Sequence, residues 1–466
     1  MRIVQTFWTA GRNPLEHSFG WLRPEYNLMS WALSCLSLRE HYDEVALYTD
    51  EQGKHVLIDL LHLPYTEVHV VYDEHLCLPQ HWAYAKIKTY SLQTKPFLHV
   101  DGDVYLPKPV SEDIMDAPLI AQNREKGTKY YRRLMDNFGH ESVLELPAYM
   151  EESLNEESIP SYNMGVFGGN DLDFIHAFCE EAMTLCITNE TNCSNGNFNL
   201  LFEQMLFASL ADLKGTPVST ICSRIYNDNG YTTQEFCQLN DYEHRSYFHL
   251  LGGHKRNRSV LKMLVHTMIR LQLHIFRRIL NLCPQFLSGI FERMHTPDYS
   301  MEEVRPYLDF IETKRKEWGE LQVEALIGIE GWTQTNDTIQ RVVKGEDSSC
   351  TLCLSPYMTV FVMDKKCSEE AGRYLCERLR CGPHFPLREV ALIPTLSGYG
   401  YMEIPLLPID MKIAEILESA ELTIEELKEK ALRAYFDGAK NDFRIRYIQS
   451  SIERLIANQI INLKIH

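Results

Sequence analysis

Two carboxylates separated by one residue are the strongest chemical signal in the sequence. Segment 97–105 reads FLHVDGDVY, an apolar run that leads directly into Asp101 and Asp103. In an extended segment, residues two apart point the same way. Their oxygens can then converge on a hard divalent cation, which accepts carboxylate and phosphate oxygens together. Asp and Gly are also common in turns, so an ordinary turn is the alternative for this segment.

A second segment, about 150 residues downstream, offers groups that complement these carboxylates. Segment 246–257 reads SYFHLLGGHKRN, with the core His249-x-x-Gly252-x-x-Lys255. His249 can supply an imidazole to the same cation, Gly252 lets the backbone approach a phosphate, and Lys255 adds a positive charge. For a histidine alone a structural role is the commoner case. Together, the two segments favour a metal site that also binds phosphate.

The elements that must position these residues alternate between strand and helix patterns. Strands are predicted at 2–7, 44–48, 67–71 and 96–100, and helices at 26–39, 55–61 and 81–91. This alternation predicts βαβ units and a mainly parallel, α/β sheet. Ligands of such sheets bind outside the carboxyl ends of the strands, where Thr6, Trp8 and Asp50 also lie. The acidic pair follows the last of the predicted strands.

Composition limits the classes of function. The chain has 466 residues and a formal net charge of −18, which argues against general binding to nucleic acids. No apolar run reaches the roughly 20 residues of a membrane span, and no signal peptide is recognisable. With 13 cysteines, the sequence therefore predicts a cytoplasmic protein with mostly reduced thiols.

Segment 254–294 differs from the rest, because it contains eight Lys or Arg and a single acid. Between 260 and 282 the polar residues recur about every four positions, which predicts a helix with one polar stripe that Pro284 ends or kinks. Three interpretations stay open for 259–294. The helix packs one domain on the next, it contacts an anionic membrane surface at the inner face, or it binds an acidic partner.

The last part of the chain predicts a smaller α+β domain. Strand patterns at 356–363 and 390–394 precede helical segments at 410–419, 423–436 and 444–461. This order resembles small winged-helix modules that recognise peptides. We therefore divide the chain into 1–258, a helical and partly basic connection 259–345, and 346–466. Six residues in the last part suggest zinc, with scattered buried thiols as the alternative: Cys350, Cys353, Cys367, Cys376, Cys381 and His384.

The acidic pair and the His-Gly-Lys motif together resemble those of GT-A-fold glycosyltransferases of the family-8 and family-32 types, over residues 1–258. More narrowly, the whole sequence resembles a bacterial group of unassigned function and acceptor. The resemblance implies a Rossmann-like domain with Mn²⁺ or Mg²⁺ on the diphosphate of the donor. Asp103 and His249 would bind this metal, Asp101 the metal or the ribose, and Gly252 and Lys255 the diphosphate. The family pattern usually continues Lys-Pro-Trp, whereas this chain has Lys-Arg-Asn.

Further residues match the family by position. The resemblance implies that Lys86 contacts the donor, and that Asn163, in the segment YNMGVFGG, faces the sugar. It also implies an acidic-Gln pair near the reacting centre, which corresponds to Glu203 and Gln204 within a predicted helix at 199–210. Thr6, Trp8 and Asp50 would hold the base and ribose. Each of the first three segments has a structural alternative. Lys86 could be a solvated lysine, and the segment of Asn163 could be an ordinary strand followed by a glycine turn. The pair Glu203 and Gln204 could belong to a plain amphipathic helix.

The resemblance implies transfer of a sugar, with retention, from a nucleotide diphosphate sugar to a hydroxyl of a glycan, a lipid-linked acceptor or a peptide. UDP-sugars are the default donors of the family. One alternative is a degenerate domain that binds a nucleotide sugar or peptide without turnover. Another is a peptide-modifying glycosyltransferase guided by the C-terminal domain. A nucleotidyl transferase of the same fold would need a longer Gly-rich loop after the first strand than 9–13 provides.

Overall fold

The structure is a computed structural model that describes residues 1–141, 144–190, 196–285, 302–321, 323–331, 336–347, 349–363, 368–382, 385–397 and 400–465. The chain separates into two compact units. The first comprises residues 1–238 and 242–255, and the second comprises residues 239–241 and 256–466. The boundary predicted near 345 is not tested and stays a prediction.

A mixed, mostly parallel sheet forms the centre of the first unit. Its order is β3-β2-β1-β4-β7-β6-β8, with β9 beside β6. Strands β1 to β4 are mutually parallel, whereas β7 runs antiparallel to both β4 and β6. The strands are β1 (Arg2–Phe7), β2 (Val45–Thr49), β3 (Glu67–Val70), β4 (Phe97–Val100), β5 (Val104–Tyr105), β6 (Leu119–Gly127), β7 (Ile159–Gly169), β8 (Val218–Thr220), β9 (Tyr226–Asn227) and β10 (Phe248–His249).

The local sequence explains this sheet. All residues of β2 and β4 are buried, which agrees with their continuous apolar runs and with a parallel sheet covered on both faces. The predicted strands and helices of the first 100 residues are confirmed to within about two residues at most ends, and so is the α/β, mainly parallel class. The predicted helix at 55–61 is wider than an α-helix, because His55–Leu60 forms π-helical turns after a short α-helix at Glu51–Lys54.

Helices of the first unit connect these strands and pack on them. Asp171 caps the long helix Leu172–Asn189 through its carboxylate, and Leu206–Lys214 ends at Gly215 in the left-handed conformation. The helices are Pro24–Arg39, Glu51–Lys54, Ala83–Ser91, Glu112–Met115, Lys129–Glu141, Ala148–Asn155, Leu172–Asn189, Leu206–Lys214 and Thr233–Phe236, with π-helical turns at Leu200–Met205 and a 3₁₀ segment at Gly252–Arg256.

The second unit contains two small antiparallel sheets and a set of helices. Strands β11 (Cys350–Leu354) and β15 (Ile461–Ile465) pair, and β12 (Thr359–Val362), β13 (Glu389–Pro394) and β14 (Tyr401–Leu406) form the other sheet. Its core extends upstream of the predicted domain start, because Ile339 and Val343 pack in it. The helices are Arg258–Leu282, Arg305–Gly319, Val323–Gly331, Asn336–Lys344, Glu369–Leu379, Pro408–Glu418, Ile424–Phe436 and Asp442–Ala457, and Leu239–Asp241 is a 3₁₀ segment.

The predicted basic helix spans Arg258–Leu282 and ends before Pro284, and the polar residues of its first half are buried. Lys262 and His266 are buried, and they bond to the carbonyl of Ala457 (3.4 Å) and the side chain of Gln459 (3.0 Å). These polar groups are therefore satisfied inside the second unit and do not face solvent. Backbone angles at Gln272 break the helix into two parts. Residues 286–294 lie outside the described residues, and contact of this segment with a membrane stays a prediction.

The predicted zinc residues do not form a metal cluster where the structure describes them. Cys350 and Cys353 lie on β11, and Cys376 and Cys381 belong to the region of the helix Glu369–Leu379. None of these four belongs to a group of three metal-ligating side chains in the described part of the chain. Cys367 and His384 lie outside the described residues. Among the helices of that part, none is long and apolar enough to cross a membrane.

Candidate metal centre

Asp101, Asp103 and His249 converge beyond the carboxyl end of β4. Each offers one ligand atom, and these atoms all lie within 4.8 Å of one another. No other group of this kind occurs in the ranges that the structure describes. Two carboxylates and one imidazole suit a divalent cation. The sequence prediction that these three residues come together is therefore confirmed, whereas the identity of a bound ion is not tested.

A two-stranded ribbon brings the distant histidine to the carboxylates. The chain turns tightly after Asp101, whose carbonyl accepts a bond from the amide of Val104 (3.1 Å). The following strand β5 then pairs with β10, which places His249 opposite Val104. The amide of Leu250 donates to the carbonyl of Asp103 (3.0 Å) and extends this pairing. The backbone thus fixes the relative position of two motifs about 150 residues apart.

Lys255 neutralises the second carboxylate. Its ammonium lies 2.7 Å from Oδ2 of Asp103, and Nε2 of His249 lies 3.5 Å from Oδ1. Burial by itself would raise the pKa of Asp103, but the positive charge of Lys255 is the largest opposing influence, and the pKa lies well below its usual range. Asp103 is therefore ionised at neutral pH, as a metal ligand must be.

Lys86 is buried and pairs with two carboxylates, so the alternative of a solvated lysine is wrong. Its ammonium lies 3.0 Å from Oδ1 of Asp101 and 2.6 Å from Oε1 of Glu203, and it donates to the carbonyl of Met164 (3.1 Å). Burial lowers the pKa of Lys86, but Asp101 and Glu203 raise it by more, so the group stays charged. The exposed ring of Trp82 lies 5.5 Å from the same ammonium and covers it.

Glu203 and Gln204 occupy π-helical turns at Leu200–Met205, directly before the α-helix Leu206–Lys214. Such wider turns are rare in proteins, and those that do occur often lie at functional sites. Glu203 is completely buried, and burial raises its pKa while Lys86 opposes that rise. Gln204 is 9% exposed. The predicted pair is thus linked to the acidic motif through Lys86.

The predicted nucleotide residues lie at the carboxyl ends of the first two strands, where they bond to their own chain. Asp50 accepts from the backbone and hydroxyl of Thr9 (both 2.7 Å) and caps the following helix through the amide of Gly53 (2.8 Å). The hydroxyl of Thr6 contacts Thr89 (2.6 Å), and the indole of Trp8 donates to the carbonyl of Asp73 (2.8 Å). Their contact with a nucleotide stays a prediction.

Asn163 and Gly165 belong to β7, in the segment predicted to face a sugar. The side-chain oxygen of Asn163 accepts the amide of Gly165 (3.0 Å), and the carbonyl of Gly165 accepts the amide of Asp101 (2.9 Å). This part of β7 therefore fixes the start of the acidic turn. The structure also gives a reason for glycine at position 165 that the sequence did not indicate. A Cβ at this position would lie 2.5 Å from the His249 imidazole and 2.8 Å from Gln122.

We expect Gly165→Ala to displace the His249 ring, because two rigid groups cannot both accommodate an added methyl. Overpacking of this kind costs about 1–3 kcal/mol of the free energy of unfolding. Urea denaturation measures that cost, and titration with Mn²⁺ measures the accompanying loss of affinity. Gly253→Ala is the matched control, because a Cβ at position 253 meets no atom within 4 Å. Equal Mn²⁺ affinities in the two variants would contradict the packing argument.

Gln122 and Tyr247 are the site residues that sequence reasoning missed. The side-chain oxygen of Gln122, on β6, lies 2.6 Å from Nδ1 of His249 and accepts from the hydroxyl of Tyr247 at the same distance. All three side chains are buried. Tyr247 precedes the predicted motif by two residues, but nothing in the local sequence of β6 distinguishes Gln122. Only the sheet order and register bring it to the histidine.

Comparison with known proteins gives a family for this chain. Residues 1–282 match DUF6734, a family of unknown function. The chain belongs to this family. The matched residues include all of those in the candidate metal centre. Among curated proteins we found no match to the chain.

Proposed function

We propose that this member of the family is a metal-dependent glycosyltransferase with a GT-A domain, which uses a nucleotide diphosphate sugar as donor. The observation that carries the proposal is the convergence of Asp101, Asp103 and His249 next to Lys255. Carboxylates and an imidazole for a cation, beside an ammonium for a phosphate, form the donor set that a diphosphate leaving group requires. The position of this set after a central strand of a mostly parallel sheet supports the GT-A assignment.

The charges of the cluster suit a cation. Three carboxylates, from Asp101, Asp103 and Glu203, face the two ammonium groups of Lys86 and Lys255. Asp101, Asp103 and His249 would hold Mn²⁺ or Mg²⁺, and the chemistry that the ion supplies is stabilisation of the charge on the departing diphosphate. Residues 101–103 hold the two carboxylates in one short turn, so both oxygens are presented without a conformational change.

Lys255 and Gly252 offer the means to bind the diphosphate. Lys255 is 23% exposed in its side chain, so its ammonium can reach a phosphate while it stays near Asp103. Gly252 adopts a positive φ of 54°, and no atom lies within 4 Å of the position that a Cβ would take. The backbone at this point is therefore open to a close approach by an anion.

The arrangement of Glu203 argues against a covalent intermediate, and retention is what the family resemblance implies. Glu203 is fully buried and ion-paired with Lys86, which makes it a poor nucleophile. Front-face attack, with the leaving phosphate accepting the proton of the acceptor hydroxyl, needs no free carboxylate. In this proposal the negative charge of Glu203 stabilises the positive charge that develops on the sugar. The side-chain amides of Gln204 and Asn163 orient the sugar.

The proposal is tested with UDP- and GDP-sugars in the presence of Mn²⁺ or of EDTA. We expect one donor to raise the melting temperature and to be hydrolysed slowly, and both effects to disappear with EDTA, because ion and diphosphate bind together. Hydrolysis that persists in EDTA would contradict the metal assignment. Donor binding without any turnover, in the presence of saccharide, lipid-linked and peptide acceptors, would instead favour the degenerate binding domain.

A further inference from the structure

Gln122 is the one side chain that bonds to the inner nitrogen of the His249 imidazole among the residues that the structure describes. The distance from Nδ1 to Oε1 of Gln122 is 2.6 Å. A carbonyl oxygen only accepts hydrogen bonds, so Nδ1 of His249 must carry the proton. In the neutral ring, the lone pair then resides on Nε2, which is the nitrogen that points toward Asp103.

A second donor meets the same side-chain oxygen of Gln122. The hydroxyl of Tyr247 donates to the same oxygen at 2.6 Å, so two donors occupy its two lone pairs. Gly165 packs beside both groups, because a Cβ at this position would lie 2.5 Å from the His249 ring and 2.8 Å from the Gln122 oxygen. The opposite orientation of the amide would present N–H groups to the imidazole. Nδ1 would then accept, and Nε2 would carry the proton and lose its ability to bind a cation.

We propose that Gln122 is a positioning residue that fixes His249 as the Nδ1–H tautomer and so presents Nε2 to the metal. This inference rests on the metal centre of the proposed function, but not on glycosyl transfer. Metal-binding histidines generally donate their other N–H to an oxygen, and loss of that partner typically weakens metal affinity about 10–100-fold. The backbone ribbon positions the ring, and the side chain of Gln122 selects which nitrogen is free.

The most direct test is the nitrogen NMR spectrum of His249 in the metal-free, wild-type protein. The protein is labelled with ¹⁵N-histidine and examined at increasing pH until the His249 signals no longer change, so that the neutral ring is observed. His249→Gln identifies the signals by their absence. We expect a protonated Nδ1 and an unprotonated Nε2. An Nε2–H tautomer would overturn the proposal, and the tautomer itself is read from the wild-type protein.

Variants at Gln122 then separate tautomer control from simple packing. We expect Gln122→Met, which keeps the length but removes the acceptor, to weaken Mn²⁺ binding about 10–100-fold. Gln122→Glu keeps an oxygen at the same place and should retain the affinity. Tyr247→Phe removes the second donor but not the acceptor, so its effect should be smaller than that of Gln122→Met. Free Mn²⁺ is measured by its EPR signal, which does not depend on activity.

The outcomes distinguish this proposal from the proposed function. Equal Mn²⁺ affinity in Gln122→Met and the wild type would overturn the role of Gln122, provided that His249→Gln binds Mn²⁺ more weakly. If His249→Gln binds Mn²⁺ as tightly as the wild type, the metal centre itself is wrong and the role of Gln122 falls with it. If Mn²⁺ binds through His249 but no nucleotide sugar is turned over, glycosyl transfer is wrong and the role of Gln122 stands.

Discussion

Asp103→Asn abolishes metal-dependent hydrolysis of the donor, with an expected loss of about 10³-fold or more, equivalent to about 4 kcal/mol in the barrier. The asparagine keeps the shape of the side chain but removes the negative charge that Lys255 stabilises. A neutral amide is a much weaker ligand for a hard divalent cation than a carboxylate. Steady-state hydrolysis and Mn²⁺ titration of the same preparation check both parts of this expectation.

Lys255→Met is the informative partner of this variant, because it separates the metal from the diphosphate. The ammonium of Lys255 lies 2.7 Å from Asp103, where it repels an incoming divalent cation. Without it, we expect Mn²⁺ affinity to stay the same or to increase. Donor affinity should fall about 10–100-fold, since a charged hydrogen bond to a phosphate contributes about 1.5–3 kcal/mol.

Mn²⁺ affinity must therefore fall in Asp103→Asn and must not fall in Lys255→Met. Circular dichroism confirms that both are folded before any comparison is made. If Lys255→Met loses Mn²⁺ as completely as Asp103→Asn does, then Lys255 serves the metal rather than the phosphate. If Asp103→Asn retains metal-dependent hydrolysis, the acidic pair is an ordinary turn, which is the alternative that its composition left open.

The sequence predicted the parallel sheet well, because its information is local. The apolar runs of β1, β2 and β4 give strands buried on both faces, and the helix Pro24–Arg39 follows from the spacing of Leu28, Trp31 and Leu36. The convergence of the acidic pair with His249 was also predictable, although not from periodicity. It followed from the chemical complementarity of two motifs and from the resemblance that they carry.

The remaining features depend on register and tertiary packing, which local patterns do not encode. The partnership of Gln122 with His249 requires β6 and β10 to meet, and no spacing in the sequence links them. The helical spacing of the basic segment was predictable, but the environment of its polar residues was not. Lys262 and His266 bond to residues near 458, almost 200 positions away, and such partners cannot be identified from the helix alone.

Lys86→Met destabilises the protein by about 3–5 kcal/mol, independently of any function. The substitution leaves the carboxylates of Asp101 and Glu203 without their shared cation, and Glu203 is completely buried. Removing one partner of a buried ion pair costs this much because an uncompensated charge remains in a poorly solvated place. Urea denaturation in EDTA measures the cost without a contribution from bound metal. Lys88→Met, on the same helix but only partly buried and without a carboxylate partner among the described ion pairs, should change stability by less than about 0.5 kcal/mol.

The double variant Lys86→Met with Glu203→Gln identifies which charge is responsible. Glu203 has no exposure to water, whereas 20% of the Asp101 side chain is exposed. Because water solvates the Asp101 carboxylate in part, we expect neutralising Glu203 alone to restore more than half of the lost stability. Restoration would mean that Lys86 is retained chiefly to compensate Glu203, so that a carboxylate can be kept charged next to the metal centre. If stability is not restored, the charge that Lys86 compensates is that of Asp101. If Lys86→Met lowers the free energy of unfolding no more than Lys88→Met does, the buried pair is not charged at all.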